Sequence, residues 1–91
     1  MRITAELSLY PLHDEPIPTI LSFLEHLEAA EGIELIINQM STQLRGELRD
    51  VIRCVQHALE QSFESGRPQV LVAKFLNADL PIGQSPDIDN R

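Results

Sequence analysis

The sequence predicts a single α+β domain in which a four-stranded antiparallel sheet carries two helices on one face. Two observations support this class. Segments with strand-like and helix-like periodicity follow one another in the order β, α, β, β, α, β. The chain has 91 residues, of which 43% are apolar, which is enough for one hydrophobic core. Right-handed crossovers then give the strand order 4-1-3-2, with strands 1 and 3 in the centre.

The first strand is predicted from alternation of apolar and polar residues over positions 3–10. Apolar side chains occupy every second position: Ile3, Ala5, Leu7 and Leu9. The opposite face carries mainly polar groups: Thr4, Glu6, Ser8 and Tyr10. Pro11, which has no backbone N–H to donate, is expected to end the strand.

Two amphipathic helices are predicted from apolar residues that recur with a period of 3.6. Asp14 is the expected cap of the first helix, and Gly32 ends it. Its apolar stripe comprises Ile17, Ile20, Leu21, Leu24 and Leu27. The stripe of the second helix comprises Leu48, Val51, Ile52, Val55, Leu59 and Phe63, and Gly66 and Pro68 follow it.

The remaining strands are predicted over residues 33–39, 41–45 and 70–77, which completes a ferredoxin-like βαββαβ domain over residues 1–79. Residues 80–91 are rich in Pro, Gly, Ser and Asp and are interpreted as an irregular tail or a docking strap. In this topology the end of strand 1 meets the start of strand 3. Tyr10 is therefore expected close to Ser41 and Thr42.

Strands 2 and 4 are apolar on both faces, although the helices cover only one face of the sheet. An uncovered apolar surface of this kind is rarely left to water. We therefore expect a homodimer or homotetramer that associates through the sheets.

Charge and composition narrow the classes of partner and compartment. The formal net charge is −7, and the basic residues are scattered, so nucleic acid is not an expected partner. The acidic excess favours solubility and, alternatively, a cationic ligand. No apolar run has the length of a membrane-spanning helix and no leader is evident, so a cytoplasmic location without membrane association is expected. The single cysteine, Cys54, is interpreted as a structural thiol.

No catalytic or metal-binding pattern is apparent in the sequence. His13, His26 and His57 are far apart and show no metal-ligand spacing. There is no nucleophile with an evident general base and no glycine-rich phosphate loop. We therefore expect a protein that is not an enzyme and that has neither a metal site nor a cofactor.

Glu6 is the most informative residue, because glutamate is disfavoured in the middle of a strand. Two interpretations remain open: a structural ion pair with Lys74 of strand 4, or recognition of a ligand. The second interpretation gathers polar groups and one aromatic ring at one end of the sheet, as in many small-molecule sites. The candidate ligand-binding residues are Glu6, Ser8, Tyr10, Ser41 and Thr42.

Three short segments resemble those of the thiamine-binding YkoF-like proteins: ITAE at 3–6, SLYPL at 8–12 and MSTQLRGE at 40–47. The resemblance implies a ferredoxin-like domain that associates through its sheets. It also implies binding of thiamine or its hydroxymethylpyrimidine part without turnover, through the five candidate residues named above. Whether Gln43 or Arg45 joins them depends on the register of strand 3, which the sequence does not fix.

The leading hypothesis is a carrier, buffer or sensor of thiamine or hydroxymethylpyrimidine in vitamin uptake or salvage. One rival is a structural or regulatory oligomerisation domain, whose exposed sheet serves only assembly. The other rival is a small ferredoxin-like monooxygenase or isomerase.

Overall fold

The computed structural model describes residues 1–88 and has six elements. They are β1 (Arg2–Pro11), α1 (Pro16–Glu28), β2 (Glu34–Ile37), β3 (Thr42–Glu47), α2 (Leu48–Phe63) and β4 (Gln69–Leu76). The strands form one antiparallel sheet in the order β2-β3-β1-β4. This is the predicted order 4-1-3-2 seen from the other edge, so the predicted ferredoxin-like class is confirmed.

The hydrophobic core lies between the helices and one face of the sheet. Side chains at alternate positions of β1 reach it, as their period predicts, and Leu44 of β3 lies beside them with no exposed surface. Ten buried residues form the core: Ile3, Ala5, Leu7, Phe23, Leu27, Leu44, Val51, Cys54, Val55 and Ala58. Within the described residues, neither helix is long and apolar enough to cross a membrane.

The start of α1 differs from the prediction that Asp14 caps it. The residue before the helix is Glu15, and its side chain makes no capping hydrogen bond. His13 Nδ1 instead accepts a hydrogen bond from the backbone N–H of Glu15 at 3.3 Å. Proline near the start of the helix removes backbone donors that would otherwise need a cap, which explains why none is required.

The predicted stripe of α1 was wrong in part. Phe23 and Leu27 are the buried residues, with 2% and 1% of their surface exposed. Ile17 and Leu21 are 61% and 54% exposed. The four positions that face the sheet are 20, 23, 24 and 27, and they also fit a helical period. The large Phe23 ring lies within this face, so the helix is rotated relative to the predicted stripe.

The predicted stripe of α2 was also wrong in part. Val51 and Val55 are buried as expected, whereas Leu48, Ile52 and Phe63 are 42%, 42% and 48% exposed. Small or weakly polar residues lie in their place against the core: Cys54, Ala58 and Ser62. Small side chains let α2 approach the sheet and α1 closely, which the apolar count alone does not predict.

Residues 78–88 follow β4, and the first part of them lies on the face of the sheet that the helices leave uncovered, where Ala78 and Leu80 hydrogen-bond to Thr4 and Gly83 lies against Ile36. We call this segment the C-terminal strap. Ile82 within it is buried, with 7% of its surface exposed. The predicted tail extends over residues 80–91, and its last three residues lie outside the described part of the chain.

Candidate functional site

The candidate site lies on the face of the sheet opposite the helices, which we call the open face. The strand registers identify its members. They are Thr4, Glu6, Ser8 and Tyr10 of β1, Gln43 and Arg45 of β3, Glu34 and Ile36 of β2, and Val70, Val72, Lys74 and Leu76 of β4.

Glu6 occupies the middle of the open face, opposite Gln43 on one side and Lys74 on the other. Ser41 donates a hydrogen bond from its hydroxyl to Glu6 Oε2 at 3.0 Å. Lys74 Nζ lies 3.5 Å from Glu6 Oε1. The structure thus contains the predicted ion pair and also a hydroxyl aimed at the same carboxylate.

The ion pair is open to water, since the Lys74 and Glu6 side chains are 76% and 37% exposed. Exposed pairs of this kind stabilise a protein by only about 0–1 kcal/mol. A ligand group that donates two hydrogen bonds can therefore displace Lys74 at small cost, so the ion pair is compatible with a recognition role for Glu6.

Ser8 and Tyr10 follow Glu6 along the same face of β1. The Ser8 hydroxyl lies 3.4 Å from the backbone oxygen of Met40, a long hydrogen bond that is readily exchanged. The Tyr10 ring is 54% exposed and lies opposite Val70. The sheet therefore brings together four of the five candidate residues: Glu6, Ser8, Tyr10 and Ser41.

Thr42 is placed differently from the other four candidates. It pairs with Leu7 on the helix-covered side of the sheet and is only 6% exposed. Strand alternation puts neighbouring residues on opposite faces, so Ser41 reaches the carboxylate of Glu6 while Thr42 does not.

A small cavity lies at the end of the sheet where β1 meets the β2–β3 turn. Its volume is about 140 Å³, and Ser8, Tyr10, Ser41 and Thr42 line it together with apolar side chains of the helix-covered side. Glu6 lies outside this cavity. Sites that enclose a drug-sized ligand usually have about 300–1,000 Å³. This cavity is therefore too small to enclose a ligand of that size.

The register of β3 settles a question that the sequence left open, because both Gln43 and Arg45 lie on the open face. Gln43 is directly opposite Glu6, so its amide is a further candidate for ligand contact. Arg45 Nε is 2.9 Å from Asp79 Oδ1 and 3.5 Å from Glu34 Oε2. The same nitrogen is buried and makes no aligned hydrogen bond within residues 1–88, so we regard these contacts as ion pairs without directed hydrogen bonds. Because carboxylates of the protein already hold its guanidinium group, Arg45 is not a candidate for ligand contact.

A second depression, which the sequence did not suggest, lies between the two helices. His26 and His57 are distant in sequence, yet their ring centroids are 5.6 Å apart. They line a cavity of about 340 Å³ with Asp50 and Cys54. Among the described residues, no group of three or more His, Cys, Asp or Glu side chains is placed to hold a metal ion. Burial raises the pKa of the Cys54 thiol, so the group is protonated and unreactive at neutral pH.

Comparison with known proteins gives a fold but no family. No family model matches the chain, and no curated protein matches it. Solved structures do match. A Streptococcus pneumoniae protein is 22% identical with a TM-score of 0.77, and the match covers 99% of this chain and 96% of the other. These identities are low enough that the likeness concerns the fold alone.

Two further structures share the fold. A domain of unknown function called DUF77 from Bacillus cereus is 18% identical with a TM-score of 0.73, over 100% of this chain and 86% of the other. A Thermotoga maritima protein provisionally assigned to thiamine biosynthesis or salvage is 14% identical with a TM-score of 0.73, over 99% of this chain and 95% of the other. The class defined by the fold and the site is therefore a small ferredoxin-like domain with a polar cluster on its open sheet face.

Proposed function

We propose that this protein binds thiamine, or the hydroxymethylpyrimidine part of it, on the open face without converting it. It would serve as a cytoplasmic carrier, buffer or sensor of the vitamin. The observation that carries the proposal is the accessible Glu6 carboxylate, which Ser41 orients from 3.0 Å and which only an exposed lysine neutralises. A Thermotoga maritima protein of the same fold is provisionally assigned to thiamine biosynthesis or salvage, which agrees with this choice although the likeness concerns the fold alone.

The chemistry of the aminopyrimidine ring suits this carboxylate. Its amino group and a ring nitrogen, when protonated, form two adjacent donors that match the two oxygens of Glu6. The exposed Tyr10 ring offers a flat surface for an aromatic ligand. A chain with a net charge of −7 also favours the cationic thiazolium ring of thiamine over an anionic ligand.

We further propose that a second copy of the chain completes the site, as a homodimer or homotetramer assembled through the sheets. Within one copy the Glu6 carboxylate lies on an open surface, and the neighbouring cavity of about 140 Å³ is too small to enclose the ligand. Val70 and Val72 add apolar surface to the open face, with 45% and 46% of their area exposed. A facing sheet would cover this surface and enclose the ligand.

A thermal-shift panel tests the ligand assignment. Thiamine, its phosphates, hydroxymethylpyrimidine and pyrophosphate are each added to the full chain. A ligand that binds only the folded state at 100 times its Kd stabilises it by about 2.7 kcal/mol, which is readily measured. We expect stabilisation by thiamine and none by pyrophosphate. Stabilisation by pyrophosphate, with no effect of thiamine or hydroxymethylpyrimidine, would show that the assignment is wrong.

The same protein and the same panel of compounds also test two rival functions. The exposed apolar residues of the open face favour a domain that serves only assembly, and this rival predicts an oligomer that no compound in the panel stabilises. A small monooxygenase or isomerase predicts that bound thiamine is consumed. Chromatography of the ligand after prolonged incubation with the protein separates this rival from the others.

A further inference from the structure

The C-terminal strap is attached to the open face through the hydroxyl of Thr4, a residue that is only 8% exposed. The hydroxyl donates a hydrogen bond to the backbone oxygen of Ala78 at 2.8 Å and accepts one from the backbone N–H of Leu80 at 2.9 Å. Both roles of the hydroxyl are thus taken up by the strap. The first residues of the strap are therefore fixed to the start of β1, which is an inner strand of the sheet.

A second attachment is ionic. The carboxylate of Asp79 lies 3.1 Å from Arg2 Nε and 2.9 Å from Arg45 Nε. The single negative charge of Asp79 is thus shared between the two arginines and ties the strap to β1 and β3.

The third attachment is apolar and lies over the outer strand β2. Ile82 is 7% exposed, although it is outside every helix and strand. At Gly83, which has φ of +76°, a Cβ atom would lie only 3.1 Å from Ile36 Cδ1. The backbone therefore lies so close to Ile36 that a side chain at position 83 would require Ile36 to shift, and the positive φ adds strain for any residue other than glycine.

These attachments divide the open face into two halves. The strap contacts Ile36 of β2 and Thr4 at the start of β1, and it borders a depression that Gln43 of β3 also lines. The other half stays uncovered, and we call it the β1–β4 patch. It comprises Glu6, Ser8, Tyr10, Val70, Val72 and Lys74.

The β1–β4 patch suits a second copy of the chain. Its only charges, Glu6 and Lys74, lie 3.5 Å apart and compensate each other, whereas the whole chain carries −7. The local net charge of the patch is therefore zero, so two copies that repel overall meet here without adding net repulsion. A two-fold axis requires a surface that complements itself, and a patch with one acid, one base and exposed valines satisfies this.

We propose that the strap takes the place of a partner over the β2–β3 half and thereby directs a second copy of this chain to the β1–β4 patch. The inference rests on the proposed association through the open face and specifies which half of it is used. It places the Glu6 carboxylates of both copies at the interface. The strap caps the rest of the face, so association stops at the dimer.

Sedimentation velocity at micromolar concentration tests the patch. Val72→Glu places a carboxylate in the patch, and Gln61→Glu adds the same charge on the exposed side of α2. We expect the natural chain and Gln61→Glu to sediment as dimers and Val72→Glu as a monomer, with dimerisation weakened at least tenfold. A monomeric natural chain, or a Val72→Glu variant that is still dimeric, overturns the proposal.

Ile82→Glu tests the strap, and Gly83→Ala is a milder variant should Ile82→Glu fail to fold. Hydrogen exchange of residues 78–88 reports whether the strap has been released. We expect release to produce assemblies larger than the dimer, because the β2–β3 half becomes available. A released strap with an unchanged dimer, or with a monomer, contradicts the directing role. If sedimentation gives the expected oligomer masses for the natural chain and the variants but thiamine gives no thermal shift, the ligand assignment is wrong and the proposed role of the strap stands.

Discussion

The hydroxyl of Ser41 lies 3.0 Å from Glu6 Oε2, although 35 positions separate the two residues in the chain. The contact spans the central strand pair β1–β3, so the fold itself holds the donor against the acceptor. The Ser41 hydroxyl orients the Glu6 carboxylate through Oε2, while the other oxygen, Oε1, faces the exposed Lys74.

Glu6→Gln keeps the shape of the side chain and removes its charge. We expect thiamine affinity to fall roughly 10–150-fold, since a charge-assisted hydrogen bond contributes about 1.5–3 kcal/mol. Lys74→Ala is the matched variant, and at protein concentrations where sedimentation shows that its dimer persists it should bind thiamine with unchanged or higher affinity, because the lysine competes with the ligand. Titration calorimetry measures both. Equal affinity in Glu6→Gln and the natural chain would remove Glu6 from the site.

Ser41→Ala should weaken thiamine binding by about 1 kcal/mol, or roughly fivefold, because one neutral hydrogen bond that orients the carboxylate is lost. Thr42→Val is the comparison, since Thr42 points to the helix-covered side and is 6% exposed. The thiamine affinity of Thr42→Val should stay within about twofold of that of the natural chain, a smaller change than the loss of a hydrogen bond causes. A larger loss in Thr42→Val than in Ser41→Ala would place the ligand in the end cavity.

Leu27→Ala and Leu21→Ala test the orientation of α1 with identical chemistry. Leu27 is 1% exposed and Leu21 is 54% exposed. Truncation of the buried leucine should lower the free energy of unfolding by about 2–5 kcal/mol. The exposed one should change it by about 0.5 kcal/mol or less. Urea denaturation measures both, and similar losses in the two variants would contradict the observed helix face.

Cys54 should react slowly with an alkylating reagent in the folded protein and rapidly in urea at the same pH. Burial raises the pKa of the thiol above its usual 9.0, so the folded state disfavours the thiolate. In the unfolded chain the thiol ionises at its ordinary pKa. Stability contributed by the protonated thiol is therefore complete below about pH 9 and decreases as pH rises further. Equal alkylation rates in the folded and unfolded states would contradict the burial.

The sequence by itself determined the order of elements and the two faces of β1. Strand periodicity is two, so the alternation from Ile3 to Tyr10 places Glu6, Ser8 and Tyr10 together whatever the rest of the chain does. The proximity of β1 and β3 followed from the handedness of the crossovers. These are local or topological rules, and they require no knowledge of side-chain packing.

Only the tertiary structure decided the orientation of the helices and the register of β3. Several helical faces of α1 are apolar enough to pack, and the fit of Phe23 against the sheet selects one of them. A register shift of one residue would exchange Ser41 and Thr42 between the faces of the sheet. The contact of His26 with His57 and the attachment of Asp79 to Arg2 and Arg45 depend likewise on distances between remote segments. Such distances follow from packing of the whole domain, which no local pattern in the sequence encodes.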